Sequence, residues 1–191
     1  MVTKIAISGK ANSGKNTLAM MLDAAFSQHN RRVEIYAFAN RIKEIIQMMI
    51  PRGHEQTVHE HLYGKSYLRK EKIPGLDDIT YRKACLEIGK VGRSFNDNLW
   101  INHFLDHFSV YGKDVYIITD LRFINEFNKL KSLDFITIRI KRRESIVIDD
   151  ISDTQQESIP DSEFNYIIDN DYDLDHLTLK CQEIYNQIKY K

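Results

Sequence analysis

The chain has 191 residues with 27 Lys plus Arg against 27 Asp plus Glu, so no global field draws it toward nucleic acid or anionic lipid and neither is expected as a partner. That length suits a single domain over 1–191 with one well-buried core and a mobile flap. The apolar start, Val2 to Ile7, is broken by Lys4, and no run approaches the ~18 apolar residues a membrane span needs, so a soluble, cytoplasmic protein is expected. Cys85 and Cys181 lie far apart in sequence and are expected as reduced thiols.

In chain order, Lys4 to Ser8 reads as a β-branched strand ended by Gly9, and from Lys15 the apolar residues Leu18, Met21, Leu22, Ala25 and Phe26 recur at helical spacing. Arg32 to Phe38 predicts a second strand, with Asn40 as N-cap of a helix that Pro51 stops. Arg52 to Asp78 reads as a polar connection. Thr80 predicts the cap of a helix closed by Gly89, GKVGRSFND a turn-rich link, and Asn98 the cap of a helix over about Trp100 to Tyr111.

Val115 to Thr119 is apolar at consecutive positions, the mark of a parallel strand covered on both faces, and Asp120 stands at its end. A helix from about Asn125 to Lys131, a strand Phe135 to Ile140, a charged segment Lys141 to Glu163, a strand Tyr166 to Ile168 and a helix from Leu174 follow. Five strands alternating with helices predict an α/β fold with a mostly parallel, doubly wound sheet flanked by helices.

Two constellations carry chemistry. Gly9, four residues, then Gly14 and Lys15 is the spacing of a phosphate-binding loop between a strand and a helix, where backbone N–H groups from Gly9 through Asn12, Ser13, Gly14 and Thr17 converge on an anion. Lys15 reaches the terminal phosphates and the Thr17 hydroxyl the inner ones. Asn16 stands where Ser or Thr commonly holds Mg²⁺; its carboxamide oxygen can ligate the ion or orient one of its waters. The second is YIITDLRFINE, which sets Asp120 and Arg122 just past a buried strand, at the sheet edge where ligands bind in open α/β folds. Asp120 there suits Mg²⁺ through water or proton acceptance and Arg122 a phosphate; a helix-capping Asp with a surface Arg is the alternative.

The ordered combination GKxxSGKNT, TYRKACLEIGKVGR, NLWIN and DLRFINE resembles the deoxynucleoside monophosphate kinase family of large bacteriophages, from Lys4 to about Asp175. The resemblance implies a P-loop kinase fold in which the ATP γ-phosphoryl group moves to a deoxynucleoside monophosphate with Mg²⁺, a monophosphate-binding region at about 40–111, and a lid at about 141–163. By the same likeness Lys15 and Thr17, then Lys43, Arg82, Lys83, Gly89, Arg93 and Trp100, then Asp120, Arg122 and Glu126 surround acceptor and phosphates, and a homodimer is compatible with it. The chain departs from the pattern at Asn16, usually Asp, at Lys90, usually Thr, and at Asn40-Arg41, often Asp-Pro, positions that bear on metal handling and base preference.

Phosphoryl transfer asks for positioning and charge neutralisation, and guanidinium forks fit phosphate better than ammonium. Arg82, Arg93 and Arg122 are therefore the acceptor-side candidates. Arg139 and Arg143, in RIKRRE before the lid, either swing onto the transferring group or form a solvated run. Trp100 either covers the base or belongs to the core. His103 and His107, and Asp149, Asp150 and Asp153, lack the companions that zinc or calcium sites require. A small P-loop kinase acting on phosphomevalonate or dephospho-coenzyme A, and a nucleotide-binding module without transfer activity, are the competing expectations.

Overall fold

The computed structural model describes residues 2–50, 53–76, 78–110, 112–143 and 151–190. Pro51, Arg52, Asp77, Tyr111, Glu144, Asp149 and Asp150, to which expectations above attach, lie outside them, as does part of the expected lid.

Five strands, β1 (Thr3–Ser8), β2 (Val33–Tyr36), β3 (Val115–Leu121), β4 (Ile136–Lys141) and β5 (Tyr166–Asp169), make one sheet in the order β2-β3-β1-β4-β5, with every pairing parallel. Parallel neighbours need crossovers, and helices supply them. These are α1 (Lys15–Ser27), α2 (Ala39–Met49), α3 (Glu55–Tyr63), α4 (Tyr81–Phe95), α5 (Leu99–Val110), α6 (Ile124–Ser132), α7 (Ile151–Ser158) and α8 (Leu174–Ile188), with a short 3-10 turn at Ser66–Lys70. The α/β architecture with a five-stranded parallel sheet is as expected. No described helix is long and apolar enough to cross a membrane.

Contacts divide the chain into two compact units, Met1–Ala37 with Leu105–Lys191, and Phe38–Phe104. The first holds the sheet. Ile5, Ile7, Ile117, Ile138 and Ile168 on one sheet face meet Leu18, Leu22 and Phe26 of α1 and Leu177, Ile184 and Ile188 of α8. Each such side chain, fully buried, is worth roughly 1.5–3 kcal/mol. On the opposite face Phe108 of α5 packs on Tyr116 and Phe135, with ring centroids 4.6 and 6.4 Å away. Both faces of β3 are thus covered, which is why its sequence is apolar at successive positions.

The second unit departs most from expectation. Phe38, buried against Phe104 with ring centroids 6.0 Å apart, turns the chain into α2, so Asn40 lies inside that helix and does not cap it. The segment read as a polar connection contains α3, anchored by buried Val58 and Leu62. Thr80 caps α4 as expected, its hydroxyl accepting from the Lys83 amide at 3.2 Å. Gly89, however, does not end α4, which runs on to Phe95 through the residues read as a turn. Close packing explains the glycines of this helix: a Cβ at Gly89 would stand 3.2 Å from Ile42, and one at Gly92 2.2 Å from the Trp100 ring. Both cysteines are free.

Candidate functional site

β1 delivers the chain into the loop 9–14, and α1 starts immediately after it. Gly14, the N-cap, has φ 104°, a left-handed conformation costly to any residue with a Cβ, and such a Cβ would lie 2.5 Å from Asn170 Nδ2. No side chain caps α1 and its first turn holds no acid. Its N-terminal N–H groups, which have no acceptor within the helix, therefore keep their positive end of the dipole. Into this loop folds Lys15, only 9% exposed, with its ammonium donating to the carbonyls of Gly9 at 2.7 Å and Lys10 at 2.6 Å. Asn16 and Thr17 are exposed on the same first turn. Ser13 Oγ is buried with no hydrogen-bond partner among the described residues.

Two residues that sequence reasoning missed hold this loop. Asn170, 5% exposed just after β5, donates from Nδ2 to the Ser13 carbonyl at 2.9 Å. Gln156 of α7, 4% exposed, faces the N–H groups of Gly9 and Lys10; its carboxamide is assigned with the oxygen toward these two donors, at 3.0 and 3.2 Å, because the reverse orientation would set its NH2 group against them. Neither had a signal in the sequence, since an isolated Asn or Gln in a polar stretch is indistinguishable from a solvated one.

On the adjacent strand, Ala6 pairs with Ile118 and Ser8 with Leu121. Thr119 and Asp120 therefore stand opposite the single residue Ile7, a bulge of the kind that re-aims side chains beside functional sites. Asp120 lies within β3, which is longer than expected, and is half-buried, as is Arg122. Since β1 and β3 are parallel neighbours, the glycine-loop corner and the Asp120–Arg122 corner share the C-terminal sheet edge. Glu126 is nearly buried, and its Oε2 accepts from the amides of Arg122 and Phe123, both at 3.0 Å. It caps α6 from the N3 position.

The expected lid arginines differ in placement. Arg139 belongs to β4 and is 7% exposed; its guanidinium donates at 2.7 Å to the Ile159 and Gln156 carbonyls and to Asp161, and lies 4.2 Å from the Phe164 ring centroid. Those bonds make it a holder of α7. Arg143 is exposed, 3.0 Å through Nε from Asp171, and lines a cleft of about 700 Å³ with Lys10, Lys141, Glu157 and Tyr172. The Asp161 carboxyl sits below its usual range because Lys141 and Arg139 bond to it.

In the second unit, α4 presents Arg82, Cys85, Gly89 and Arg93 at i, i+3, i+7 and i+11, one helical face. That face packs on α2, where a Cβ at Gly89 would meet Ile42 at 3.2 Å and the Arg93 guanidinium at 3.4 Å. Burial pushes the Cys85 thiol up, while the positive fields of Lys43, Arg69 and Arg82 pull it down. Three half-buried cations thus act on Cys85 from α2, the 3-10 turn and α4, with Arg93 half-buried further along the same face, and Arg69 among them was not anticipated. Arg82 Nε is buried without a partner among the described residues; Lys43 Nζ stands 4.6 Å from the Tyr63 ring centroid. Lys83 is exposed beside this group. Trp100 is 5% exposed with its indole N–H on the Gly89 carbonyl at 3.1 Å, which makes it a buttress of α4.

His107 pairs with Glu34, a structural contact. Among the described residues no group of three or more His, Cys, Asp or Glu could hold a metal. Asn16 and Asp120, one carboxamide and one carboxylate on neighbouring corners, suit Mg²⁺ that takes its other ligands from phosphate and water. No protein-family model matches the chain, and no curated protein does.

Proposed function

We propose that the chain is a (deoxy)nucleoside monophosphate kinase of the P-loop kinase type, moving the ATP γ-phosphoryl group to a dNMP to give dNDP. The observation that carries this reading is the buried Lys15 ammonium in an uncapped glycine loop after β1, next to the end of β3 that carries Asp120 and is followed by Arg122. Anion binding alone would need only the first of these corners; a carboxylate and a guanidinium at the second add what phosphoryl transfer requires.

In this reading Lys15 and the first-turn amides of α1 hold the ATP phosphates. An acceptor phosphate oxygen bonds to the γ-phosphorus as the bond to the β,γ-bridging oxygen breaks, and ADP leaves. Arg122 neutralises charge on the transferring group, and Arg143 meets ATP from the cleft side. Asn16 and Asp120 would hold Mg²⁺ through water, and the ion would supply further charge neutralisation. Lys43, Arg69, Arg82 and Arg93 receive the acceptor phosphate, while Arg139 and Glu126 support the machinery from beneath.

A coupled assay of ADP formation against a panel of (d)NMPs tests the reading. Turnover with at least one (d)NMP is expected. Turnover only with phosphomevalonate or dephospho-coenzyme A moves the chain to another small kinase class, and tight ATP binding without any acceptor makes it a nucleotide-binding module. On the acceptor side, Arg69→Ala should raise the dNMP KM by roughly tenfold, a loss of about 1.4 kcal/mol, with the ATP KM unchanged.

A further inference from the structure

The phosphate loop is held from outside by one helix. Gln156 accepts from the Gly9 and Lys10 N–H groups, and its neighbour Glu157 forms an ion pair with the Lys10 ammonium. On the other side Gln155 Oε1 lies 3.4 Å from the Ile124 amide at the start of α6. Successive glutamines of α7 therefore reach the two corners that carry the candidate chemistry. The helix itself is fixed from below: Arg139 binds the carbonyls of Gln156 and Ile159 at 2.7 Å.

We infer that Gln156 is a positioning residue for the phosphate loop, and that α7, through it, sets the ATP affinity of the site. The argument is one of hydrogen-bond accounting. Loop N–H groups can point outward toward α7 or inward toward an anion, and the loop is short enough that fixing two constrains the rest. Gln156 fixes those of Gly9 and Lys10 outward, at the entry of the loop. The Gly9 carbonyl, which shares a trans peptide plane with the Lys10 N–H, turns the opposite way and receives the Lys15 ammonium, joined there by the Lys10 carbonyl of the next peptide. Gln156 thus places the lysine as well as the amides, without itself touching a phosphate. A carboxamide oxygen with two lone pairs suits two converging donors. Burial makes the arrangement demanding, because two enclosed amides left without an acceptor would lose their hydrogen bonds to water as well. The Glu157–Lys10 pair is more exposed and contributes less.

The kinetic consequence rests on the kinase reading, whereas the structural one does not, so the test has two arms on the full chain. In the first, amide hydrogen exchange at Gly9 and Lys10 is followed by NMR without nucleotide. Gln156→Met, which keeps length and loses the acceptor, should speed exchange at both amides at least ~10-fold, and Gln156→Glu, which keeps acceptor oxygens, should not. In the second, Gln156→Met should raise the ATP KM at least ~5-fold, with the dNMP KM within twofold of the parent and recovery in Gln156→Glu. Should Gln156→Met fail to fold, Gln156→Asn, which withdraws the carboxamide by one methylene, gives the same readouts. Unchanged exchange in a folded variant overturns the clamp, and faster exchange with an unchanged ATP KM overturns the positioning role. If no acceptor turns over, ATP affinity by calorimetry replaces KM. A loss in Gln156→Met with recovery in Gln156→Glu then upholds the inference while the kinase reading falls, and no loss sinks both.

Discussion

The β1–α1 and β3–α6 corners are built on neighbouring parallel strands and open at the same sheet edge, yet they treat their helix N-termini in opposite ways. At α6 the protein fills the positive end of the helix with its own Glu126 carboxylate, whose Oε2 takes two amides at 3.0 Å. At α1 there is no cap and no acid, and a buried lysine adds positive charge where α6 receives negative charge. A helix start costs stability when left unfilled. The contrast therefore separates a corner satisfied from within from one that leaves room for an anion from outside.

The sharpest way to break this comparison is Lys15→Ala, which should lower kcat/KM at least ~10²-fold through lost stabilisation of transition-state charge. A folded variant with near-normal rate would leave α1 an ordinary helix start. Arg122→Ala should also cost ~10²-fold, measured in the same assay; a small effect would confine the chemistry to the first corner. Glu126→Ala empties the second corner and should act on stability instead, by about 2 kcal/mol from two amides losing their acceptor, read as a lower Tm with little change in ATP KM. Smallest is Asn16→Asp, which should reduce the Mg²⁺ concentration for half-maximal rate by a few-fold, given a stronger, charged ligand. An unchanged requirement would show that side chain 16 touches neither the ion nor its waters.

Much of the first unit was legible because its signals are local. The strands β1 and β3 are read from consecutive apolar residues, and the loop from glycine spacing and the helix behind it. The Thr80 cap is a one-turn interaction and was read correctly. What failed depended on partners distant in sequence. Gly89 looks like a helix stop until Ile42 is found packed against it and Trp100 bonded to its carbonyl, and α3 looks like a polar loop until Val58 and Leu62 are buried. Within the site, Lys15, Asp120, Arg122 and Glu126 were found through their motifs, although Glu126 proves to be a cap. Gln156, Asn170 and Arg69 were not, because only the folded chain brings a lone amide to the loop or a lone arginine to the face of α4.

The bond from Asn170 to the Ser13 carbonyl bridges 157 positions of sequence, and Gln156 spans nearly as many. The loop is therefore synthesised well before the residues that brace it. A nascent chain stalled before β5 would carry the whole glycine motif and still lack one of the braces that define it. The full set of braces on the loop is therefore available only once the region around Asn170 has emerged.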